Sequence, residues 1–420
     1  MKRKGGTSEA RVLEVLTPSP DALPARCDHF GTCGGCAFQT LDYARQLEEL
    51  GRLVSEALAG DIARDEPRVD AVVGCEDPWH YRNKMDFTFG SRRWVLPDED
   101  EDADANFGLG LHVPGMHQKV LDIHSCAIQF KEADAILTSA RRLALEQNLT
   151  PWDLRSHTGL LRHLVLRKGV NTGDIMVDLV TSEDAHEEVQ PYVQALLAAH
   201  PEVTTLVQNV NTRAATIAVG EWEHVLHGEG VIRERLADLT FTISAGSFFQ
   251  TNTAQAEKLF EIVREEAACT TDDIVYDLYC GAGAIGLSLA RDAREVWGFE
   301  SVESAVLDAR RNATENGIDN AHFVLGDVLH ETSVEALAER PAPAVCIVDP
   351  PRAGLHPKIV PALVRIGAQR IVYVSCNVQA TARDLPFLAM GGYRVTRVRP
   401  VDLFPHTPHV ECVMTLEKIG

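Results

Sequence analysis

The chain has 420 residues, of which 45% are hydrophobic, so it is long enough for two or three domains that each have an apolar core. No segment approaches the roughly 20 consecutive apolar residues of a membrane span, and no apolar run follows the basic start MKRKGGTSEAR as in a secretory signal, so we expect a cytoplasmic protein. The net charge of -21 argues against nonspecific binding to a polyanion. A local basic surface is still compatible with it, because residues 97–105 alone supply six negative charges.

Three cysteines, Cys27, Cys33 and Cys36, lie close together among small and turn-forming residues. They follow residues 1–26, which contain a predicted short strand (10–16) and a turn-rich stretch and are too few to form a domain. In a cytoplasmic chain, ten cysteines indicate metal binding or catalysis rather than disulfides. Three thiols are an incomplete ligand set, so we expect a fourth ligand elsewhere.

The helix predicted at 41–60 is followed by two regions of different pattern. The first has strand-like runs interleaved with helices such as 132–147, which indicates an α+β domain. Its strand-like runs are 84–90, 163–169, 174–180 and 215–220. After about residue 240, strands alternate regularly with helices, which predicts a doubly wound, mostly parallel sheet. We therefore predict a central α+β domain at 27–240 and a Rossmann-like domain at 241–420.

The Rossmann-like region begins with the glycine-rich turn VYDLYCGAGAIGL, where backbone N–H groups at a helix start can face a polar ligand. The next strand ends at Glu300, about twenty residues after the turn, where a carboxylate can hold ribose hydroxyls. The following strands end at Asp327, suited to an adenine edge, and at Asp349 of VDPPR. Acids that end three successive strands after such a turn are typical of S-adenosylmethionine-dependent methyltransferases, whereas an NAD site would leave VDPPR unexplained.

Cys376 of IVYVSCN ends a predicted strand at the same edge of the sheet and is a candidate nucleophile. A methyltransferase needs a nucleophile when the accepting atom is a poor one, as carbon 5 of a pyrimidine is. Addition of a thiolate to C6 activates C5, and a base must later remove the C5 proton. Glu411 of HTPHVECVMTL, at the start of the last predicted strand, is the candidate base.

Five motifs, in the order SFFQTN, DLYCGAGAIGL, VDPPR, SCN and HVEC, extend this pattern over the C-terminal half. With the upstream segments, the chain resembles the uracil-5 RNA methyltransferases that make 5-methyluridine, in particular the iron–sulfur branch that acts on 23S ribosomal RNA. The resemblance implies that Cys376 is the nucleophile and Glu411 the base. It implies cofactor positions at Gln250, Tyr279, Glu300, Asp327 and Asp349.

The resemblance also implies further roles near the target base. Asp349 would contact the uracil as well, and Phe248 lies where the family has an aromatic residue beside the flipped base. Ala284 is a departure, because relatives often carry a larger or polar residue there. The segments YRNKMDFTFG and GLLRHLVLRKG are similar to family segments that face RNA or shape the cleft, and we expect them to supply local positive charge. The target uridine should be unpaired or flipped.

In this family a C-x5-C-x2-C element and a distant cysteine hold a [4Fe–4S] cluster. The resemblance assigns the distant ligand to Cys126 of DIHSCAIQ, joining Cys27, Cys33 and Cys36. Four thiolates by themselves suit zinc equally well. A structural role is expected, since methyl transfer moves no electrons. Many relatives carry a TRAM-type β-barrel before the cysteines, and residues 1–26 resemble a remnant of it or an N-terminal extension.

The sequence leaves several readings open. The cysteine set favours 23S ribosomal RNA, with transfer RNA as the alternative substrate. An N-methyltransferase would leave Cys376 and Glu411 without a role, and a noncatalytic iron–sulfur or zinc RNA-binding protein would not need them together with Asp349. We expect a monomer that binds S-adenosylmethionine, a [4Fe–4S] cluster and RNA, and no membrane.

Overall fold

The structure is a computed structural model that describes residues 15–96, 98–100, 104–214, 218–326 and 340–419, with the backbone of two short strands before them. Its helices are α1 (Tyr43–Ala57), α2 (Ala59–Asp65), α3 (Ala133–Glu146), α4 (His186–Ala199), α5 (Thr253–Ala267), α6 (Ala284–Leu289), α7 (Glu303–Glu315), α8 (Ile359–Ile366) and α9 (Val378–Met390). Among these helices there is none with the length and apolar character needed to cross a bilayer.

The described strands form four sheets, of two, seven, two and eight strands. A two-stranded pair comprises β1 (Lys2–Lys4) and β2 (Thr7–Glu9), and β3 (Arg68–Val69) follows later in the chain. The middle of the chain contributes β4 (Lys84–Gly90), β5 (Gly108–Val113), β6 (Met116–Asp122), β7 (Leu161–Lys168), β8 (Ile175–Thr181), β9 (Thr205–Val210), β10 (Trp222–His227), β11 (Val231–Leu236) and β12 (Leu239–Ser244). The last strands are β13 (Ile274–Leu278), β14 (Glu295–Glu300), β15 (Ala321–Leu325), β16 (Val345–Val348), β17 (Arg370–Ser375), β18 (Tyr393–Val401) and β19 (Glu411–Lys418).

The central sheet has seven strands in the order β10-β9-β8-β7-β4-β5-β6, antiparallel except for the β8/β9 pair. Period-2 alternation in β4 directs Met85, Phe87 and Phe89 into a core that also contains the apolar faces of α3 and α4. The intervening residues Asp86 and Thr88 lie on the opposite face. This combination of a mainly antiparallel sheet with helices on one face confirms the predicted α+β character of the region.

The second sheet has eight strands in the order β15-β14-β13-β16-β17-β19-β18-β3. The five strands from β15 to β17 are parallel, and β19 inserts antiparallel between β17 and β18. Continuous apolar runs such as Val345–Val348 form the parallel strands because both faces of the sheet are buried. The prediction of a Rossmann-like, mostly parallel sheet is thus confirmed, and its carboxyl edge is the expected ligand side.

Residues before β4 also contact the second sheet. Strand β3 pairs in parallel with β18, and α1 buries Leu50 and Val54 in the apolar core on that sheet. The Tyr43 hydroxyl donates to Asp402 at 2.7 Å. The domain boundaries, including the barrel remnant at 1–26, stay predictions. Most of the strand predicted at 10–16 and half of that at 215–220 lie outside the described residues.

Candidate active site

The glycine-rich turn follows β13 at the carboxyl edge of the second sheet. Tyr279, Gly281 and Gly283 have φ values of 65°, 52° and 83°, so the turn uses the left-handed region three times within five residues. A side chain at Gly283 would place its Cβ 2.8 Å from the Phe323 ring. Strain at the non-glycine Tyr279 is the kind that ligand sites retain. The turn therefore has a fixed shape that brings its backbone close to any ligand at this edge.

Glu300, at the end of β14, lies against that turn. Its Oε2 accepts the Gly281 N–H at 3.1 Å, and its Oε1 accepts the Val302 N–H at 2.9 Å. The parallel register of β13 and β14 produces this meeting, because both strands end at the same edge. The predicted cofactor residues Tyr279 and Glu300 are thus brought together. Asp327 lies outside the described residues, so its predicted role is not addressed.

Asp277 is a site residue that the sequence reasoning missed. It is fully buried on β13, and its Oδ2 accepts the Gly286 N–H at 2.9 Å while nothing described here hydrogen-bonds Oδ1. Burial, with a smaller contribution from nearby Asp349, raises the pKa of Asp277 to about 8. A carboxyl inside the apolar run VYDLY was the signal, since an acid is rarely buried there without a role.

Cys376 and Glu411 lie at the same end of an antiparallel strand pair. The last pair of the β17/β19 register is Ser375 with Cys412, and Cys376 and Glu411 are the next residues on the two segments. They are close enough for the Glu411 carboxylate to raise the pKa of the Cys376 thiol. The structure therefore brings together the predicted nucleophile and base, which are 35 residues apart in the chain.

Acidic side chains lie beside Cys376 at the same edge of the sheet. Burial raises the pKa of Glu411 to about 8 and that of Asp349 to about 7, and the two carboxyls raise the pKa of the Cys376 thiol, already shifted by burial, to about 11. Arg352 opposes these shifts, lowering the pKa of both Cys376 and Glu411. Asp349 therefore lies together with Cys376 and Glu411, at the edge where the sequence predicts the methyl-transfer site.

Arg352, in the VDPPR motif, had no role in the sequence analysis. Its carbonyl accepts the Asn377 side-chain amide at 2.9 Å, so the loops after β16 and β17 are tied together. Its guanidinium lies 3.1 Å from His409, two residues before the predicted base. Arg352 is exposed, and among the described residues it is the positive charge that lowers the pKa of both Cys376 and Glu411.

The SFFQTN segment precedes α5 and is held by the central sheet. The Asn83 amide donates to the Gln250 carbonyl at 3.0 Å and to Thr253 Oγ1 at 2.9 Å. Arg167, which is 4% exposed, donates to the Ser247 carbonyl at 2.7 Å. Phe248 is 70% exposed on this segment. The central sheet thus fixes the backbone around the predicted cofactor residue Gln250 and leaves the aromatic ring facing solvent.

The expected positive charge of the upstream segments requires a correction. Arg162 is 1% exposed and donates to the Asn211 carbonyl, so it cannot meet RNA at the surface. Two lysines are paired, Lys84 with Asp86 at 2.8 Å and Lys168 with Glu132 at 2.7 Å. Of the two roles predicted for these segments, the contacts of Asn83 and Arg167 match shaping of the cleft. The physical reason is that β7 is buried on both faces, so Arg162 and Arg167 lie inside the protein.

The four predicted cysteine ligands line one small cavity of about 30 Å³. Burial, with a smaller contribution from the neighbouring cysteines, raises the pKa of Cys36 to about 12 and that of Cys126 to about 11. The structure therefore brings the four thiols together, and the metal group that they hold stays a prediction.

Known proteins resemble this chain over almost its whole length. The solved tRNA (uracil-54, C5)-methyltransferase of Pyrococcus abyssi, in complex with S-adenosyl-L-homocysteine, is 31% identical with a TM-score of 0.74, covering 96% of this chain and 88% of that one. An uncharacterized RNA methyltransferase of Chlorobaculum tepidum is 42% identical over 99% of this chain and 88% of its own. One of Porphyromonas gingivalis is 39% identical over 99% and 91%. The family described as tRNA (Uracil-5-)-methyltransferase matches residues 169–419. The chain therefore belongs to this family of RNA uracil-5 methyltransferases.

Proposed function

We propose that this protein transfers a methyl group from S-adenosylmethionine to C5 of a uridine in 23S ribosomal RNA, in the cytoplasm. The observation that carries the proposal is the juxtaposition of Cys376 and Glu411 beside Asp349, at the edge that holds the strained glycine turn. A methyltransferase acting on an amine or hydroxyl would need neither a thiol nor a buried carboxyl in this position. The arrangement instead meets the two demands of pyrimidine C5 chemistry.

The cofactor would lie at the glycine turn. Glu300 is placed for ribose hydroxyls, and the buried Asp277 holds the N–H of Gly286 so that the helix start keeps its position. Tyr279 of the turn and Gln250 of the SFFQTN segment are the further cofactor residues of this proposal. The Pyrococcus abyssi relative was solved with the demethylated cofactor, which supports the same ligand here. When bound, S-adenosylmethionine supplies an electrophilic methyl group.

The residues of the chain perform the remaining steps. Cys376, once its proton is lost, adds through sulfur to C6 of the uracil and makes C5 nucleophilic. After C5 has taken the methyl group, Glu411 removes the C5 proton, and the electrons of the C–H bond form the C5–C6 double bond as the thiolate leaves. A carboxyl whose pKa is raised to about 8 is a stronger base than an ordinary glutamate. Arg352 favours the thiolate because it is a cation beside it.

The choice of ribosomal RNA and of an iron–sulfur cluster rests on the cysteine set. Cys27, Cys33, Cys36 and Cys126 line one cavity. We assign them a [4Fe–4S] cluster that joins residues 27–36 to the central sheet. Four soft thiolates provide the ligand chemistry for such a cluster. In the family that this chain resembles, the cluster marks the branch acting on 23S ribosomal RNA.

Transfer RNA is the second candidate substrate. The solved relative that covers 96% of this chain is named for a transfer RNA uridine. The two substrates are distinguished by mapping 5-methyluridine in ribosomal and transfer RNA from a strain that lacks the gene. We expect the mark to disappear from one site or more in 23S ribosomal RNA and to return with the wild-type gene but not with Cys376→Ala. Loss of the mark only in transfer RNA would overturn the proposed substrate.

A further inference from the structure

Three metal-ligating side chains meet on the central sheet, in a part of the molecule that methyl transfer does not use. Asp184 lies in the connection between β8 and α4, His186 is the first residue of α4, and His224 lies on the edge strand β10. Asp184 Oδ1 is 3.2 Å from His186 Nδ1 and 3.1 Å from His224 Nε2. Across the described ranges, no other three His, Cys, Asp or Glu residues bring ligand atoms within 4.8 Å of one another.

The environment of His224 is a second observation. Its Nε2 is inaccessible to solvent and lies 3.1 Å from Asp184 Oδ1, the atom that also faces His186 Nδ1. The partner of this nitrogen is therefore another member of the trio.

The protein holds these three groups in place before any ligand arrives. Gln208 on β9 pairs directly with His224 on β10, and its amide donates to Thr181 Oγ1 at 2.9 Å. The Thr181 hydroxyl in turn donates to the Glu183 carbonyl at 2.8 Å, one residue before Asp184. The loop and the edge strand are thus tied through buried side chains. Little rearrangement would be needed to bind an ion, which favours affinity.

We propose that Asp184, His186 and His224 bind one divalent first-row transition metal ion, with Zn²⁺ as the probe. Two imidazole nitrogens and one carboxylate oxygen are a ligand set such ions accept. Bonds of about 2.0–2.2 Å in tetrahedral geometry require ligand atoms about 3.4 Å apart, close to the 3.1 and 3.2 Å found here. Glu187 and Glu188 in the first turn of α4 add negative charge nearby. Water would complete the coordination, and the ion would clip β10 to the β8/α4 loop.

The test is a Zn²⁺ titration of the full-length protein as purified, in competition with a chromophoric chelator. His186→Ala, His224→Ala and Asp184→Asn are compared with His227→Ala, an exposed histidine on the same strand β10 outside the trio. We expect one site per chain whose affinity falls at least about tenfold in each ligand variant and is unchanged in His227→Ala. The ligands are on the surface, so circular dichroism should show all four variants folded.

A second readout separates this site from the cysteine cavity. Co²⁺ in place of Zn²⁺ should give weak visible bands and no thiolate-to-metal charge-transfer band in the near ultraviolet, because nitrogen and oxygen are the only protein ligands. The proposal is overturned if Zn²⁺ affinity is the same in wild type, His186→Ala and His224→Ala. It is equally overturned if His227→Ala weakens binding as much as the ligand variants, or if the bound Co²⁺ shows thiolate ligation.

Discussion

Four ionisable side chains dominate the active edge at the scale of single residues. Asp277 and Glu411 are buried and Asp349 is partly buried, and burial raises the pKa of each. Asp349 adds to the shift of the other two. Cys376 is shifted in the same direction. Such a cluster is costly for folding and is retained where protons must be held near neutral pH. In the proposed mechanism the proton that matters is the one leaving C5.

Replacement of Glu411 should separate addition of the Cys376 thiolate to the uracil from removal of the C5 proton. In Glu411→Gln we expect methyl-transfer turnover to fall by about 10²–10⁴-fold while Cys376 can still add to the RNA. A covalent protein–RNA species should therefore accumulate, visible as a band that resists denaturing electrophoresis. Cys376→Ala should give neither turnover nor the band. Full turnover by Glu411→Gln would remove Glu411 from the mechanism.

The raised pKa of Glu411 should make the free energy of unfolding depend on pH. An unfolded glutamate titrates near 4.5, whereas Glu411 in the folded protein titrates near 8, so the native state keeps a proton that the unfolded chain releases in between. The unfolding free energy should fall as pH rises from about 4.5 to about 8. Glu411→Gln should remove up to about 1.4 kcal/mol per pH unit of that dependence in urea titrations. Glu417→Gln, exposed on the same strand, is the control and should leave it unchanged.

At the scale of elements, the central sheet acts on the active edge through the loop between β12 and α5. Asn83 precedes β4, Arg167 is on β7, and both donate to carbonyls of that loop. The loop also starts α5, where Asn252 caps the helix by accepting the Gln255 N–H at 3.2 Å. Its position is therefore set by two elements that are distant in sequence. These contacts offer a physical reason for the resemblance of YRNK and RHLVLRK to family segments: both segments hold the loop before α5.

Asn83→Ala should weaken cofactor binding without touching the catalytic pair. It removes two hydrogen bonds to the Gln250 carbonyl and Thr253, and leaving such acceptors unsatisfied costs about 1–3 kcal/mol. We expect KM for S-adenosylmethionine to rise about tenfold with kcat changed much less. Lys84→Ala is the matched control, because Lys84 is the neighbouring residue and its ammonium pairs with Asp86. Equal effects of the two variants would show that the loop contact is not the cause.

At the scale of the whole molecule, residues 27–46 connect the cysteine cavity to the second sheet. The Ala37 and Phe38 N–H groups donate to the His406 carbonyl, and the Gln46 side-chain carbonyl accepts the His406 N–H at 3.1 Å. Glu411 follows His406 by five residues. The cysteine set, the first helix and the loop that leads to the proposed base therefore form one continuous packed region. A group bound by the cysteines would stabilise this region from one end.

Removal of one cysteine ligand tests that connection. Cys126→Ser should lose the bound metal content and lower the apparent Tm by about 5 °C or more, because the binding free energy of a structural metal centre contributes to folding. Cys269→Ser, half-buried and outside the cavity, is the control. Iron and acid-labile sulfide are measured on both variants. Retention of iron and Tm by Cys126→Ser would remove Cys126 from the ligand set.

The sequence by itself determined the fold class and the family of this protein. Strand–helix alternation after residue 240 predicted the parallel sheet, and acids ending successive strands predicted where the cofactor edge lies, because residue type and local periodicity suffice for such inferences. Cys376 and Glu411 were identified by their motifs. Only the tertiary structure decided which groups meet: the β17/β19 register that brings the nucleophile and base together, the burial of Asp277, and the turning of Asn83 and Arg167 toward a loop rather than RNA. Those facts depend on strand pairing and burial between segments far apart in the chain, which no local pattern encodes.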